Sequence, residues 1–376
     1  MLDLEFSQEQ EMLRDSVRGV CHTHSPLTVV RELEDDPVGY SRELWRQLGE
    51  LGLIGLMLPE VYGGGGSEAI EGVVLYEEFG RSLAPSPHFV SAVLSGGVLA
   101  LAANVAQREA WLPRIITGEA ILTPAWLEPD NGFGPEGVQL RAVAKGDGWV
   151  LSGTKRHVAF AQDAAALVVL ARTGEGRNDI DIFLVDPSAP GVTLTQQFTI
   201  ASDNQFLVEF DEVTVTEAVR IGAAGTGWAT WDAVMRDGII LLAAQAMGGA
   251  QYALDITVQY AKDREQFGKQ LGAFQALAHN LADAATAVDG GFQLVHEAAW
   301  ARSVGRPIDR LAPMAKLFAC QTFRDVTALG EQIFGGVGFT IDFDIQLYFR
   351  RAKALQLSWW DARYLEEMVA ASVLDV

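Results

Sequence analysis

The chain has 376 residues, hydrophobic types make up 49% of them, and the formal net charge is -21. That length exceeds one ordinary hydrophobic core and asks for two or three packed domains, while the composition excludes a disordered or low-complexity chain. So acidic a surface repels nucleic acid, and no nucleic-acid partner is expected.

No apolar run reaches the roughly 20 residues of a membrane span, and the opening M-L-D-L-E-F lacks the basic start of a secretory signal. Cys21 and Cys320 lie far apart, which fits free thiols and a cytoplasmic location. His22 and His24 stand beside Cys21 without a second ligand cluster, so no metal is expected.

In chain order, Ser7 caps a first helix to about Cys21, with Gln10 completing a capping box and Leu13, Val17 and Val20 forming its apolar stripe. A second helix covers Tyr40 to Leu51. The segment L-P-E-V-Y-G-G-G-G after it is a loop, followed by helices over Ser67 to Gly80, Val90 to Ala103 and Gln107 to Thr117. The period then changes. Short β-rich runs at Ala120–Trp126, Val138–Ala144, Gly148–Ser152, Ala165–Ala171, Ile180–Val185, Val192–Thr195 and Phe206–Val213 alternate with Gly, Asp, Asn and Pro turns. This pattern predicts an antiparallel β-domain. From Gly227 the helical period returns: Trp228–Asp263, Ala273–Val304, Pro307–Gly330 and Asp361–Val373 read as a four-helix bundle. The expected fold is α+β, with an N-terminal helical domain (1–118), a middle β-domain (119–222) and a C-terminal bundle (223–376).

Two stretches carry chemistry. Lys262 to Gln275 reads K-D-R-E-Q-F-G-K-Q-L-G-A-F-Q and joins two of the long helices. Arg264 and Phe267, three apart, are expected on one helical face, with Gly268 ending the helix. Ala273, Phe274 and Gln275 begin the next helix. A guanidinium, a ring and an amide at one corner suit a flat, anionic nucleotide, although a plain helix–helix corner with a packed Phe and an exposed Arg fits the spacing as well. Gln332 to Phe339 reads Q-I-F-G-G-V-G-F, and its three glycines in four residues suggest a backbone that something approaches closely.

Together, R-x-x-F-G with a Gln eight residues after the Phe, and Q-I-F-G-G-x-G, resemble the acyl-CoA dehydrogenase family of flavoproteins. The resemblance runs from Phe6 to about Val373, with the family's order of segments. It implies FAD as cofactor and an oxidoreductase acting on the CH–CH bond of an acyl-CoA thioester. It also implies that FAD lies at a subunit interface, its diphosphate and adenine held by the neighbour through Arg264, Phe267, Gln275, Gln332, Ile333, Gly335 and Gly336, with Gly338 also matching.

Where the resemblance places the flavin ring, this chain departs from the family. A threonine is usual before Glu-Pro, but Leu127 stands there in W-L-E-P. In G-T-K-R-H-V-A-F, His157 replaces a tryptophan and Ala159 a threonine. Leu and Ala side chains offer no hydrogen bond; His157 is either a new flavin contact or a strand histidine that faces solvent or sits in a satisfied polar pocket. The base that removes the α proton is equally displaced. Trp359 falls on the usual glutamate, and Asp361 is expected to cap the last helix. Gly238 falls on the alternative base position, next to Asp237, the candidate base of this chain. The Thr-Ser-Gln that often follows the catalytic Glu is replaced by Asp361, Ala362 and Arg363.

A sound diphosphate half beside an eroded ring half resembles one subunit type of the bacterial α2β2 members that act on steroid-CoA thioesters. The resemblance thus implies a tetramer, homomeric or α2β2 with a homologous subunit, a bulky steroid-like acyl group in lipid or steroid degradation, and electron-transfer flavoprotein as acceptor. The alternative is a silent partner that completes the FAD site of a paralogous dehydrogenase.

Overall fold

The computed structural model describes Phe6 to Leu374. Among these residues, helices α1 (Gln8–His24), α2 (Leu27–Glu32), α3 (Arg42–Glu50), α4 (Ala69–Ser82), α5 (Gly96–Ala102) and α6 (Val105–Ile116) come first. Strands β1 (Leu122–Ala125), β2 (Arg141–Lys145), β3 (Gly148–Ala159), β4 (Ala166–Arg172), β5 (Ile180–Val185), β6 (Val192–Gln197), β7 (Gln205–Thr216) and β8 (Arg220–Ile221) follow. Then come α7 (Gly227–Asp263), the short strands β9 (Glu265–Gln266) and β10 (Lys269–Gln270), α8 (Gln275–Ser303), α9 (Leu311–Phe334), α10 (Ile345–Leu357) and α11 (Ala362–Leu374). The order is helical, β, helical, as expected. Two helices were not foreseen: α2, of six residues, and α10, which makes the C-terminal part a five-helix rather than a four-helix assembly.

The chain forms two compact units. The first comprises Met1–Val30, Glu68–Ala84 and Ile239–Val376, the second Arg31–Ser67 and Pro85–Gly238. Within the first unit, α1 starts as its sequence dictates: Ser7 Oγ accepts from the Gln10 N–H at 3.2 Å, and Gln10 Oε1 accepts from the Ser7 N–H at 2.9 Å. The small-residue run of α7 lets α4 pack backbone to backbone. A methyl built on Gly80 would stand 1.9 Å from Gln245 O, and one on Gly248 would stand 1.9 Å from Glu77 O. Glycine is required at both. Gly330 of α9 is similarly crowded, by Ile345 of α10 and Thr257 of α7. α7 is long and apolar enough to cross a membrane, unlike the expectation from the sequence, but 72% of its most apolar window is buried inside the protein. Cys21 and Cys320 are both free and buried.

Within the second unit the sheet runs in the order β6-β7-β3-β2-β4-β5-β8, with β1 added beside β4. It is mixed rather than antiparallel: β1 runs parallel to β4, pairing Leu122 with Ala166 through Ala125 with Val169. β4 and β5 are buried at all but one position, so they read as continuous apolar runs. The stretch expected as one helix from Val90 is instead a π-helix, Phe89–Ser95, that passes into α5. Ser95 Oγ donates to Val90 O at 2.7 Å, and Ser91 Oγ accepts from the Leu122 N–H at 3.2 Å, which ties the π-helix to β1.

Candidate functional site

In the first unit, the two motifs meet at one end of the bundle. Tyr260, four residues before Arg264, stacks on Phe334, the residue before the glycine turn, and Phe343 packs edge-on against both. The chain around Arg264 differs from the expectation. α7 ends at Asp263, and Arg264 to Leu271 form a tight β-hairpin closed by the Leu271 N–H donating to Arg264 O at 2.9 Å. Phe267 and Gly268 are its two central residues, with φ of 54° and 80°. A two-residue hairpin needs positive φ at both, so the turn dictates the separation of Arg264 and Phe267 and they share no helical face.

Phe267 is 92% exposed in this strained conformation, its ring edge-on to that of Phe274. Arg264, Gln275 (the first residue of α8) and Gln332 are exposed as well. Among the described residues no hydrogen bond or ion pair engages their side chains. A guanidinium and two amides are thus left available at this end. The glycine turn presents Gly335 (φ 69°) and Gly336 to open space, with nothing within 4 Å of an added methyl. Ile333 is 5% exposed and belongs to the core.

The same unit holds the segment where a base was sought. Trp359 and Trp360 both adopt left-handed backbone (φ 54° and 72°), which costs non-glycine residues of order 1–3 kcal/mol each. The buried Lys316 of α9 fastens the backbone on either side of Trp359. Its Nζ donates to Leu355 O (3.3 Å), Ser358 O (2.9 Å) and Trp360 O (2.9 Å), capping the C-terminus of α10. Burial lowers the Lys316 pKa, against the opposing pull of Cys320 and Asp361. Asp361 Oδ1 accepts from the Tyr364 N–H at 2.9 Å, the capping role read from the sequence.

In the second unit, the W-L-E-P segment is pinned to β3 by a buried ion pair that sequence reasoning passed over. Lys155 Nζ lies 2.7 Å from Glu128 Oε1 and donates to Trp126 O at 3.1 Å. Glu128 also accepts from the Gln139 and Leu140 N–H groups, each at 2.8 Å. Burial pulls the Lys155 pKa down to about 8, with Glu128 opposing. Leu127 O accepts from the Arg156 N–H and Ala159 O accepts from Thr123 Oγ1, so Leu127 and Ala159 border the same β1–β3 junction. His157 sits on a bulge where β3 shifts register against β7, with φ of 55°. Its Nδ1 is 2.6 Å from Gln205 Oε1, an acceptor, so Nδ1 carries the hydrogen of that bond on an exposed ring. A bulge of this kind re-aims a side chain.

Asp237 is half-buried on α7. Its neighbour Arg236 pairs with Asp232 at 2.8 Å. Gly238 faces the π-helix: a methyl there would stand 3.2 Å from Leu94 Cδ2 and 3.3 Å from the Phe89 ring. The position that would carry the alternative base is therefore walled off by apolar side chains. A cleft of about 630 Å³ elsewhere in this unit is bordered by Tyr40, Arg42, Arg46 and Asp163, and its cations are paired, Arg42 with Asp163 and Arg46 with Glu43 and Glu50.

Comparison with known proteins identifies the family. The family models for the N-terminal, middle and C-terminal domains of acyl-CoA dehydrogenases match residues 7–119, 124–213 and 225–359. An acyl-CoA dehydrogenase of Bacillus subtilis is 30% identical over 94% of this chain and 95% of its own. The ChsE4-ChsE5 complex of Mycobacterium tuberculosis contains a chain with a TM-score of 0.90 at 27% identity, all of both chains being covered. A variant of the Tcur3481-Tcur3483 steroid acyl-CoA dehydrogenase gives a TM-score of 0.87 at 31% identity over 98% of each chain. The chain belongs to the acyl-CoA dehydrogenase family, FAD-dependent oxidoreductases acting on acyl-CoA.

Proposed function

We propose that this chain is one subunit of a hetero-oligomer that dehydrogenates a bulky, steroid-like acyl-CoA, and that its share of the FAD site is the diphosphate half. The observation that carries this reading is the contrast between the two halves. At the bundle end, Arg264, Gln275 and Gln332 are exposed and unengaged among the described residues, beside a glycine turn open to close approach. These groups fit a diphosphate: charge, amide donors and accessible backbone. FAD, when bound, supplies the acceptor for the β hydride.

The ring half offers less. Leu127 and Ala159 have no side-chain donor, and His157 is the one polar side chain of the three. For the base, Trp359 carries no proton acceptor, and Gly238 is closed by Phe89 and Leu94. Asp237 is the residue of this chain left to take an α proton; otherwise the base comes from the homologous partner. Two neighbouring structures, the ChsE4-ChsE5 complex and the Tcur3481-Tcur3483 steroid enzyme, pair two gene products by their names, which supports the heteromeric reading. Electron-transfer flavoprotein is the expected acceptor, and the cytoplasm the expected location.

The test is reconstitution. Co-expressed with a homologous subunit that bears an intact base, the chain should yield stoichiometric FAD and turnover that it lacks alone. Stoichiometric FAD and turnover from the chain alone would overturn the reading. Asp237→Asn decides between direct catalysis and a silent partner: loss of turnover with FAD retained assigns the base here, and unchanged turnover in the complex assigns it to the partner.

A further inference from the structure

One buried ionisable group lies directly behind the glycine turn and takes no part in the reading above. Glu331, on the last turn of α9, is 3% exposed, and neither carboxyl oxygen has a hydrogen-bond partner among the described residues. Its Oε2 fills the inner side of the turn: a methyl on Gly338 would stand 2.5 Å from it. The turn therefore has two unlike faces, an outer one open at Gly335 and Gly336 and an inner one sealed by a carboxyl group.

A carboxylate cannot stay charged in such a place without a donor or a cation. Burial raises the Glu331 pKa. The charged residues nearest in the chain on the neighbouring elements are Lys262, Asp263 and Arg264 at the end of α7 and Asp342, Asp344, Arg350 and Arg351 before and on α10, and none of them is a hydrogen-bond partner of the Glu331 carboxyl. In its neutral form the group leaves the turn free of charge. Ionised, it sets a full negative charge behind the backbone that is to receive a diphosphate, and draws donors inward, away from the ligand.

We propose that Glu331 is a proton-bearing part of the dinucleotide half-site, such that FAD binds with Glu331 protonated and its binding takes up a proton when that residue starts ionised. The proposal rests on the half-site reading, since it gives the turn the same ligand. Nothing is transferred to FAD: one proton moves from solvent to a Glu331 oxygen.

The experiment is calorimetric titration of FAD into the purified apo assembly, wild type and Glu331→Gln, between pH 5.5 and 8.5, in buffers of different ionisation heat. Glutamine copies the neutral carboxyl in shape and cannot ionise. Wild-type affinity should fall with rising pH, by up to about tenfold per unit, and the buffer dependence should show proton uptake. The variant should keep the wild type's low-pH affinity throughout, without uptake. If FAD binds both proteins with one pH profile, Glu331 has no such role and the half-site reading stands. If neither protein binds FAD at any pH, both fall. Should the variant not fold, the buffer heats of the wild type decide alone: uptake upholds the proposal and none overturns it.

Discussion

Tyr260 lies flat against Phe334, ring centroids 4.1 Å apart and planes 14° from parallel. This stack fastens the end of α7 to the end of α9, and so brings the Arg264 hairpin and the glycine turn, about 70 residues apart in sequence, to one end of the bundle. Phe334→Ala should cost about 3–5 kcal/mol of stability, measured by denaturant unfolding, and should weaken FAD retention more than a remote mutation of equal cost. Equal retention at matched stability would separate the stack from the site.

Arg264 is exposed and makes no ion pair among the described residues, so its removal should leave the fold alone. Arg264→Ala should shift unfolding by less than about 0.5 kcal/mol yet lower FAD affinity by about tenfold to a hundredfold, the scale of a lost charge-assisted bond. Fluorescence titration with FAD reads this. Arg264→Lys should recover only part of the loss if the contact is bidentate.

Gly238 tests whether this chain has room for a base on α7. The contacts with Phe89 and Leu94 leave space for no more than a strained methyl. Gly238→Glu should therefore destabilise by about 1–3 kcal/mol and confer no turnover. A stable variant that gains activity would show that the wall yields easily.

Lys155 sets a pH dependence of known sign. Its pKa is about 8 in the folded chain against an ordinary 10.5. Between those values the unfolded chain holds more protons than the folded one, so unfolding takes up a proton and this group's contribution to stability rises with pH. The gain across the window is up to about 3 kcal/mol. Thermal melts at pH 8 and 10 should show wild type gaining relative to Lys155→Met, which should itself be about 3–5 kcal/mol weaker at neutral pH because Glu128 is left buried and unpaired.

The local rules carried much of this from the chain alone. The Ser7–Gln10 capping box, the change of period near residue 120, the small residues of α7 and the capping role of Asp361 all follow from residue type and spacing, and the structure has each of them. What escaped is what tertiary context decides. Phe267 is a poor residue for positive φ, so nothing local announced a hairpin where a helix end was expected. The parallel pairing of β1 with β4 depends on strands some 40 residues apart. Lys155, Lys316 and Glu331 read as ordinary surface charges until burial is known. The bulge that re-aims His157 leaves no mark in R-H-V-A.

The central claim is that the corner at Arg264 and the turn after Phe334 hold the phosphates of an FAD whose ring belongs mostly to another chain. The most direct measurement is a density map of the assembled complex. The account predicts a dinucleotide diphosphate within hydrogen-bond reach of Arg264 and the Gly335–Gly336 backbone, its flavin on the partner subunit. A map in which that corner is filled by side-chain packing, with every dinucleotide bound elsewhere, would contradict it.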